Sequence, residues 1–143
     1  NSIFRVRPPP VVVEVHFKHI YCDSGKTVVV SHIMKQYVID EIRTEDYKQI
    51  KTFLDKEYGK SEIEGIYWIP VAEPLLTSLQ ASHSWCQPFY VALDLEPGRL
   101  CCELLIRTKQ HMRCDCMGYA NEEQRNWIIG WVDRVFEQLE IIT

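Results

Sequence analysis

Residues 89–119 read FYVALDLEPGRLCCELLIRTKQHMRCDCMGY, and their pattern is the strongest indication of the fold. Apolar side chains occupy every second position over much of it, which is typical of strands with one buried face. Glu96-Pro97-Gly98-Arg99 is a turn signal between two such runs. Pairing Leu95 with Leu100 puts both apolar sets on one face, whereas a slip by one residue would expose one of them. We therefore predict a three-stranded antiparallel meander, whose third strand covers residues 112–120.

The N-terminal part of the chain supplies a second hairpin and a helix. Residues 11–21 alternate in polarity, and residues 27–39 are rich in β-branched side chains, with a turn signal at residues 23–26 between them. Thr44 is a good N-cap for the apolar residues at helical spacing that follow, and Gly59 supplies the C-terminal stop. This pattern predicts a β-hairpin followed by an amphipathic helix.

The remaining segments complete the sheet and its helical cover. Residues 66–69 are apolar and end at Pro70, which indicates a short buried strand. Thr77 with Gln80 has capping-box spacing, so a short helix is expected over residues 78–84. Asn121 with Gln124 has the same spacing and begins a helix with a broad apolar stripe. We expect this last helix to close the core.

The predicted fold class is α+β. The chain should form an antiparallel sheet of five to six strands, an N-terminal hairpin plus a three-stranded meander, packed by two main helices. The predicted element order is β-β-α-β-α-β-β-β-α. Residues 1–10 end in three prolines and are expected to be an extended lead-in, and residues 11–143 a single domain.

Composition and charge restrict the partners. The chain has 143 residues, 16 Lys and Arg against 20 Asp and Glu, and a net charge of −4. Its basic residues are scattered, which argues against a nucleic-acid partner. No apolar run approaches the roughly 20 residues that span a bilayer, and no signal-peptide pattern is present. We therefore predict a cytoplasmic protein that engages neither nucleic acid nor membrane.

The 6 cysteines allow a metal site as a minority interpretation. In the predicted register, Cys102, Cys114 and Cys116 lie together on the leucine-bearing face, and either Cys86 or His83 could add the fourth ligand that zinc needs. However, Cys-x-Cys on a strand lacks the tight turn of a Cys-x-x-Cys knuckle, and free cysteine also serves as a small core residue. The favoured expectation is reduced core thiols and no cofactor, with zinc as the alternative.

The opposite face of the meander carries a candidate polar ligand site. The predicted register of the meander places Glu103 opposite Asp115. Like charges in this position repel unless arginines lie between them. A solvated face of ion pairs is the simpler explanation, and a binding pocket the functional one. The candidate ligand-binding residues are Tyr90, Asp94, Glu103, Arg107, Arg113 and Asp115.

Aromatic residues near three prolines suggest a groove. Tyr67, Trp68 and Trp85 could line a site for a peptide or a small apolar ligand, because aromatic rings give contact area at low entropic cost. Such a cluster is more often part of the core.

Nucleophilic or histidine-based chemistry has weaker support. Cys86 or Cys101 could pair with His83 or His111, but no helix N-terminus or neighbouring cation marks either thiol as reactive. Two imidazoles from the first hairpin, His16 and His32, could hold a metal if they face each other. The sequence identifies no catalytic residue.

The sequence therefore favours a small, non-catalytic binding or accessory domain that engages a protein or a small ligand. A zinc-binding domain using the clustered cysteines is one alternative. A small enzyme with a carboxylate or thiol site is the other. A homodimer formed through an edge strand is compatible with all three.

Overall fold

The structure is a computed structural model that describes residues 11–23, 26–60 and 62–142. The predicted lead-in, residues 1–10, lies outside this range. The described elements, in chain order, are β1 (Val11–Asp23), β2 (Lys26–Ile39), α1 (Thr44–Tyr58), β3 (Ile66–Pro70), α2 (Ser78–Ser82), β4 (Phe89–Glu96), β5 (Arg99–Glu103), β6 (Leu105–Thr108), β7 (Gly118–Tyr119) and α3 (Glu122–Gln138). Single 3-10 turns flank α2 at Glu73–Leu75 and Ser84–Cys86. The α+β class is confirmed.

All strand pairs are antiparallel, and β4 lies at the centre of the sheet. Strand β3 pairs with one edge of β4, while β5 and β6 pair with successive parts of its other edge. Strand β2 pairs with β5, and β1 pairs with β2. The two predicted hairpins therefore belong to one sheet.

The predicted register of the central hairpin is confirmed. Leu95 pairs with Leu100, and Glu96 pairs with Arg99 across the tight turn. Gly98 adopts a φ of 87° there, a left-handed conformation that glycine reaches without a steric penalty. This register places alternate residues of both strands on the buried face.

The prediction of a third long strand over residues 112–120 is wrong. Only Gly118–Tyr119 pairs with β6, and Met112, one of the supposed inward-facing residues, is 96% exposed. Residues 114–117 instead form a turn, in which the amide of Met117 donates to the carbonyl of Cys114 at 3.0 Å. The alternation of apolar and polar residue types over residues 112–117 therefore belongs to a loop and does not mark a strand with one buried face.

Helix caps follow the sequence at two of three sites. Capping boxes form at the start of α2 and of α3, from Thr77 with Gln80 and from Asn121 with Gln124. Helix α2 is shorter than predicted and ends at Ser82. The N-cap of α1 is Arg43 rather than Thr44, and its guanidinium pairs with Asp46 at 2.7 Å.

The core lies between the sheet and the helices. Helix α1 contributes Ile50 and Leu54, and helix α3 contributes Ile128, Val132 and Phe136, all of them buried. Full burial of each such side chain contributes about 1.5–3 kcal/mol before the loss of conformational entropy is counted. Among the described residues, no helix is both long and apolar enough to cross a membrane.

Candidate metal centre

Four side chains from two separate segments converge beside α2. One potential ligand atom from each of His83, Cys86, Cys114 and Cys116 lies within 4.8 Å of all the others. Nδ1 of His83 is 3.2 Å from Sγ of Cys114, and Sγ of Cys86 is 3.8 Å from the same sulfur. Cys86 and Cys116 are buried, whereas His83 and Cys114 are partly exposed. The cluster is therefore a compact set of one imidazole and three thiols at the edge of the core.

Local backbone turns explain why the four side chains meet. His83 ends α2, and its carbonyl accepts a hydrogen bond from the amide of Cys86 at 2.9 Å within the following 3-10 turn. This turn brings two ligands three residues apart onto one side, as the tight turn of a Cys-x-x-Cys knuckle does. Cys114 and Cys116 come from the turn that replaces the predicted third strand.

Two separations in the cluster can be compared with those around a single tetrahedral ion. Zn–S bonds of about 2.3 Å set sulfur ligands about 3.8 Å apart in a tetrahedron, which is the observed Cys86–Cys114 separation. The His83–Cys114 distance is a few tenths of an ångström shorter than two zinc ligands require, as expected for a direct hydrogen bond. A [2Fe–2S] cluster distributes its ligands over two irons and needs a wider set than one confined to 4.8 Å.

The pKa values of the three thiols in the cluster are shifted in different directions. Hydrogen bonds from the backbone and the thiol of Cys116, followed by those from His83 and Cys86, lower the pKa of Cys114 to about 7. Burial is the largest factor for the other two: it raises the pKa of Cys86, and it raises that of Cys116 to about 12. Because thiolates are the metal-binding form, a cation in the cluster would have to displace protons from the two buried thiols.

The buried side-chain amide of Gln80 contacts the loop that carries Cys114 and Cys116. Nε2 of Gln80 donates to the carbonyl oxygen of Cys116 at 3.2 Å. Gln80 is buried, and its Oε1 accepts from Nε2 of Gln124 at 2.9 Å. Contacts of this kind orient the groups that hold a metal ligand in place.

One predicted metal ligand, Cys102, lies outside the cluster. Cys102 is fully buried on the core face, where it pairs with Tyr37 on one side and Leu93 on the other. Burial raises the pKa of its thiol, so it behaves as a small core residue. His83 takes its place in the cluster beside Cys86, rather than the two being alternatives.

The structure divides the predicted polar ligand site. Tyr90, Asp94, Glu103 and Arg107 lie on one face of β4–β6, with Tyr90 in register with Arg107. Arg113 and Asp115 lie in the loop between β6 and β7, so they are not on this face. The predicted opposition of Glu103 and Asp115 is therefore wrong.

Glu103, at the end of β5, instead forms an ion pair with Arg107 of the next strand, β6. Its Oε1 accepts a hydrogen bond from the guanidinium of Arg107 at 2.7 Å. This pair neutralises both charges, which leaves the exposed Asp94 as the remaining carboxylate of the predicted set on that face. No convergent pair of carboxylates for acid–base work is formed by these four residues.

The predicted groove is also divided. Tyr67 and Trp68 line a surface cavity beside the C-terminal end of α1. Tyr67 is largely buried, and its hydroxyl donates to Oδ1 of Asp55 at 2.6 Å. Trp85 lies elsewhere: it is 60% exposed and stacks on the imidazole of His83, with ring centroids 4.7 Å apart.

The Cys–His contact in the structure involves a predicted histidine but a different cysteine from those predicted. His83 contacts Cys114, a pair that the sequence does not predict. Burial raises the pKa of Cys101 to about 11, which disfavours a reactive thiolate at neutral pH. The side chains of His16 and His32 lie outside the part of the chain whose side chains the structure describes.

Comparisons with protein-family models, curated proteins and solved structures find no match for this chain. No family or structural neighbour therefore constrains the chemistry of the cluster. Its function has to be inferred from the four donor atoms and their surroundings.

Proposed function

We propose that this chain is a zinc-binding domain in which His83, Cys86, Cys114 and Cys116 hold one tetrahedral Zn²⁺. The observation that carries the proposal is the confinement of four potential ligand atoms to within 4.8 Å of one another. Three thiolates and one imidazole form a recurrent donor set for zinc in proteins. Thiolate and imidazole donors also favour zinc over magnesium or calcium, which prefer oxygen ligands.

The role of this zinc is structural. A catalytic zinc keeps one coordination position for water or substrate, whereas four protein ligands close the site. The ion would join the end of α2 to the loop that leads into β7 and α3. Most of this loop lacks ladder hydrogen bonds, since only Gly118–Tyr119 pairs with the sheet. Metal coordination would supply the restraint that strand pairing does not.

A closed zinc site adds stability and not reactivity. It is therefore compatible with the function favoured by the sequence, that of a small non-catalytic binding or accessory domain. The proposal deepens that expectation by assigning the cysteine cluster a definite role.

Metal analysis of matched variants tests the proposal. Elemental analysis of protein purified without chelator should give about one equivalent of zinc per chain. Cobalt substituted into the site should show the intense visible absorption of a tetrahedral thiolate complex. Cys86→Ser and Cys116→Ser should each lose metal, whereas Cys101→Ser should keep it, because Cys101 lies outside the cluster. Retention of zinc by both cluster variants would overturn the proposal.

A thiol-based enzyme is the second candidate, and one contact favours it. The imidazole of His83 lies 3.2 Å from the Cys114 sulfur, within reach for a base that activates a nucleophile. Alkylation by iodoacetamide separates the two candidates. If zinc occupies the site, Cys114 is protected until a chelator is added. Protein that binds no zinc and is alkylated first at Cys114 would favour the enzyme instead.

A further inference from the structure

A second site lies away from the cysteine cluster. A surface cavity of about 650 Å³ opens between the C-terminal end of α1 and strand β3, and its volume falls in the range of small-molecule pockets. Its lining is about equally polar and apolar, and its aromatic and aliphatic side chains include Tyr58, Ile66, Trp68, Pro70 and Tyr90. Such a surface suits a ligand with a flat apolar body.

Lys109 is one of the charged residues that line this cavity. Nζ of Lys109 lies 4.5 Å from the ring centroid of Tyr90 and 5.4 Å from that of Trp68. The two rings meet edge to face at 77°, so the ammonium group lies in the corner between them. Cation–π attraction of this kind holds the charge in one place without neutralising it.

The charge of Lys109 is not balanced within the cavity. Within the described part of the chain, no carboxylate lies within ion-pair distance of Lys109. The adjacent Arg107 is neutralised by Glu103 at 2.7 Å. Among the described residues that line the cavity, the charged ones are Lys60, Lys109 and Glu62, which leaves one positive charge in excess. The cavity is therefore complementary to a single negative charge.

We propose that this cavity binds a small aromatic carboxylate, with the carboxylate paired to Lys109 and the ring packed beside Trp68. A monoanion matches one ammonium group. A phosphate or a nucleotide would need more donors, such as an arginine fork or a helix N-terminus, and neither is among the residues that line the cavity. This inference is independent of the zinc site and does not require it to be occupied.

Titration with 2-naphthoate, followed by two-dimensional ¹H–¹⁵N NMR, tests the proposal directly. Addition of the ligand should shift the indole N–H of Trp68, assigned with Trp68→Phe, and the backbone amides of Tyr90 and Lys109. The neutral 2-naphthamide has the same shape and should bind about tenfold more weakly. Equal affinity for the acid and the amide would overturn the charge argument.

Two lysine variants provide the matched comparison. Lys109→Gln should weaken naphthoate binding about tenfold. Lys35→Gln should leave it unchanged, because Lys35 makes the same kind of contact, 5.7 Å from the ring centroid of Tyr119, outside the cavity. Circular dichroism of both variants checks that the fold is kept. Absence of naphthoate binding at millimolar concentration, or a Lys109→Gln variant that binds as tightly as the parent, would contradict the proposal.

Discussion

Nε2 of Gln124 donates a hydrogen bond to Oε1 of Gln80 at 2.9 Å, in the buried region between α2 and α3. Each glutamine is the third residue of its helix and closes the capping box there. Gln80 also donates to the carbonyl of Cys116 at 3.2 Å. One amide therefore links two helix N-termini to the loop that carries two of the proposed zinc ligands.

Replacement of this amide tests its structural role. Gln80→Leu removes one hydrogen bond from the carbonyl oxygen of Cys116 and one from the side-chain amide of Gln124. Both bonds lie in the buried region between α2 and α3. We expect the free energy of unfolding to fall by about 3 kcal/mol and zinc affinity to fall by about tenfold. Urea denaturation and competition with a zinc chelator measure the two effects.

Gln87 provides the control for that experiment. Its amide makes an exposed hydrogen bond to the carbonyl of Ala81 at 3.3 Å. Gln87→Ala should cost less than about 1 kcal/mol and leave zinc affinity unchanged. Equal losses in the two variants would show that the buried network has no special role.

Replacing two glycines by alanine distinguishes the effect of a steric clash from that of backbone strain. Gly65 has a φ of 84°, and a Cβ there would lie 2.8 Å from the carbonyl oxygen of Leu95. Gly59 has a φ of 76°, but a Cβ there would meet nothing within 4 Å. Gly59→Ala should therefore cost about 1 kcal/mol, from backbone strain alone. Gly65→Ala should cost about 2 kcal/mol more, as measured by urea denaturation, because the neighbouring backbone must move. Equal costs would contradict the close approach of Gly65 to the backbone of β4.

The hydrogen bond between Tyr67 and Asp55 should make stability depend on pH. This bond lowers the pKa of Asp55, as does the nearby Lys51 to a smaller extent. A carboxyl group whose pKa is lowered on folding stabilises the protein above its unfolded pKa of about 4 and loses that contribution as the pH falls through the folded value. Tyr67→Phe should therefore destabilise the protein by about 1 kcal/mol at pH 7 and by less near pH 3.

The double variant checks the cause of that pH dependence. In an Asp55→Asn background, the effect of Tyr67→Phe should no longer change with pH, because the group that titrates is gone. Urea denaturation at both pH values measures the difference. A Tyr67→Phe effect that is the same at pH 3 and pH 7 in the parent protein would contradict this assignment.

Trp85 should report metal binding. Its ring stacks on the imidazole of His83 and is 60% exposed. Adding Zn²⁺ to chelator-treated protein should fix the imidazole and change the tryptophan emission, with a break near one equivalent. Trp85→Phe should keep the zinc and lose most of the emission change, whereas Trp127→Phe should retain it. An unchanged zinc response in Trp85→Phe would contradict the assignment of the emission change to Trp85.

The sequence predicts the fold well where two kinds of signal agree. Around Leu95 and Leu100, the apolar alternation and the Pro97-Gly98 turn demand the same register, and the structure has it. The two capping boxes are predicted from spacing alone, since each needs only its own first turn. These features are local and do not depend on the arrangement of distant segments.

The cluster is only partly predictable, because it depends on a contact between distant segments. All four of its residues are candidates on residue type, with Cys86 and His83 offered as alternatives for one position. Cys102 joins them only if the alternation continues through residues 112–120, where a turn replaces the expected strand. A hydrogen-bonded turn follows Cys114 as well as His83, and the sequence spacing reveals neither turn. Only the folded structure shows that the side chains of His83 and Cys86 converge with those of Cys114 and Cys116.

X-ray absorption at the zinc edge of the purified protein reports the donor atoms around the metal. Zinc held by His83 and the three cysteines should have about three sulfur neighbours at roughly 2.3 Å and one nitrogen at roughly 2.0–2.1 Å. A first shell of oxygen and nitrogen alone, or protein that takes up no zinc when zinc is supplied, would contradict the proposed zinc site.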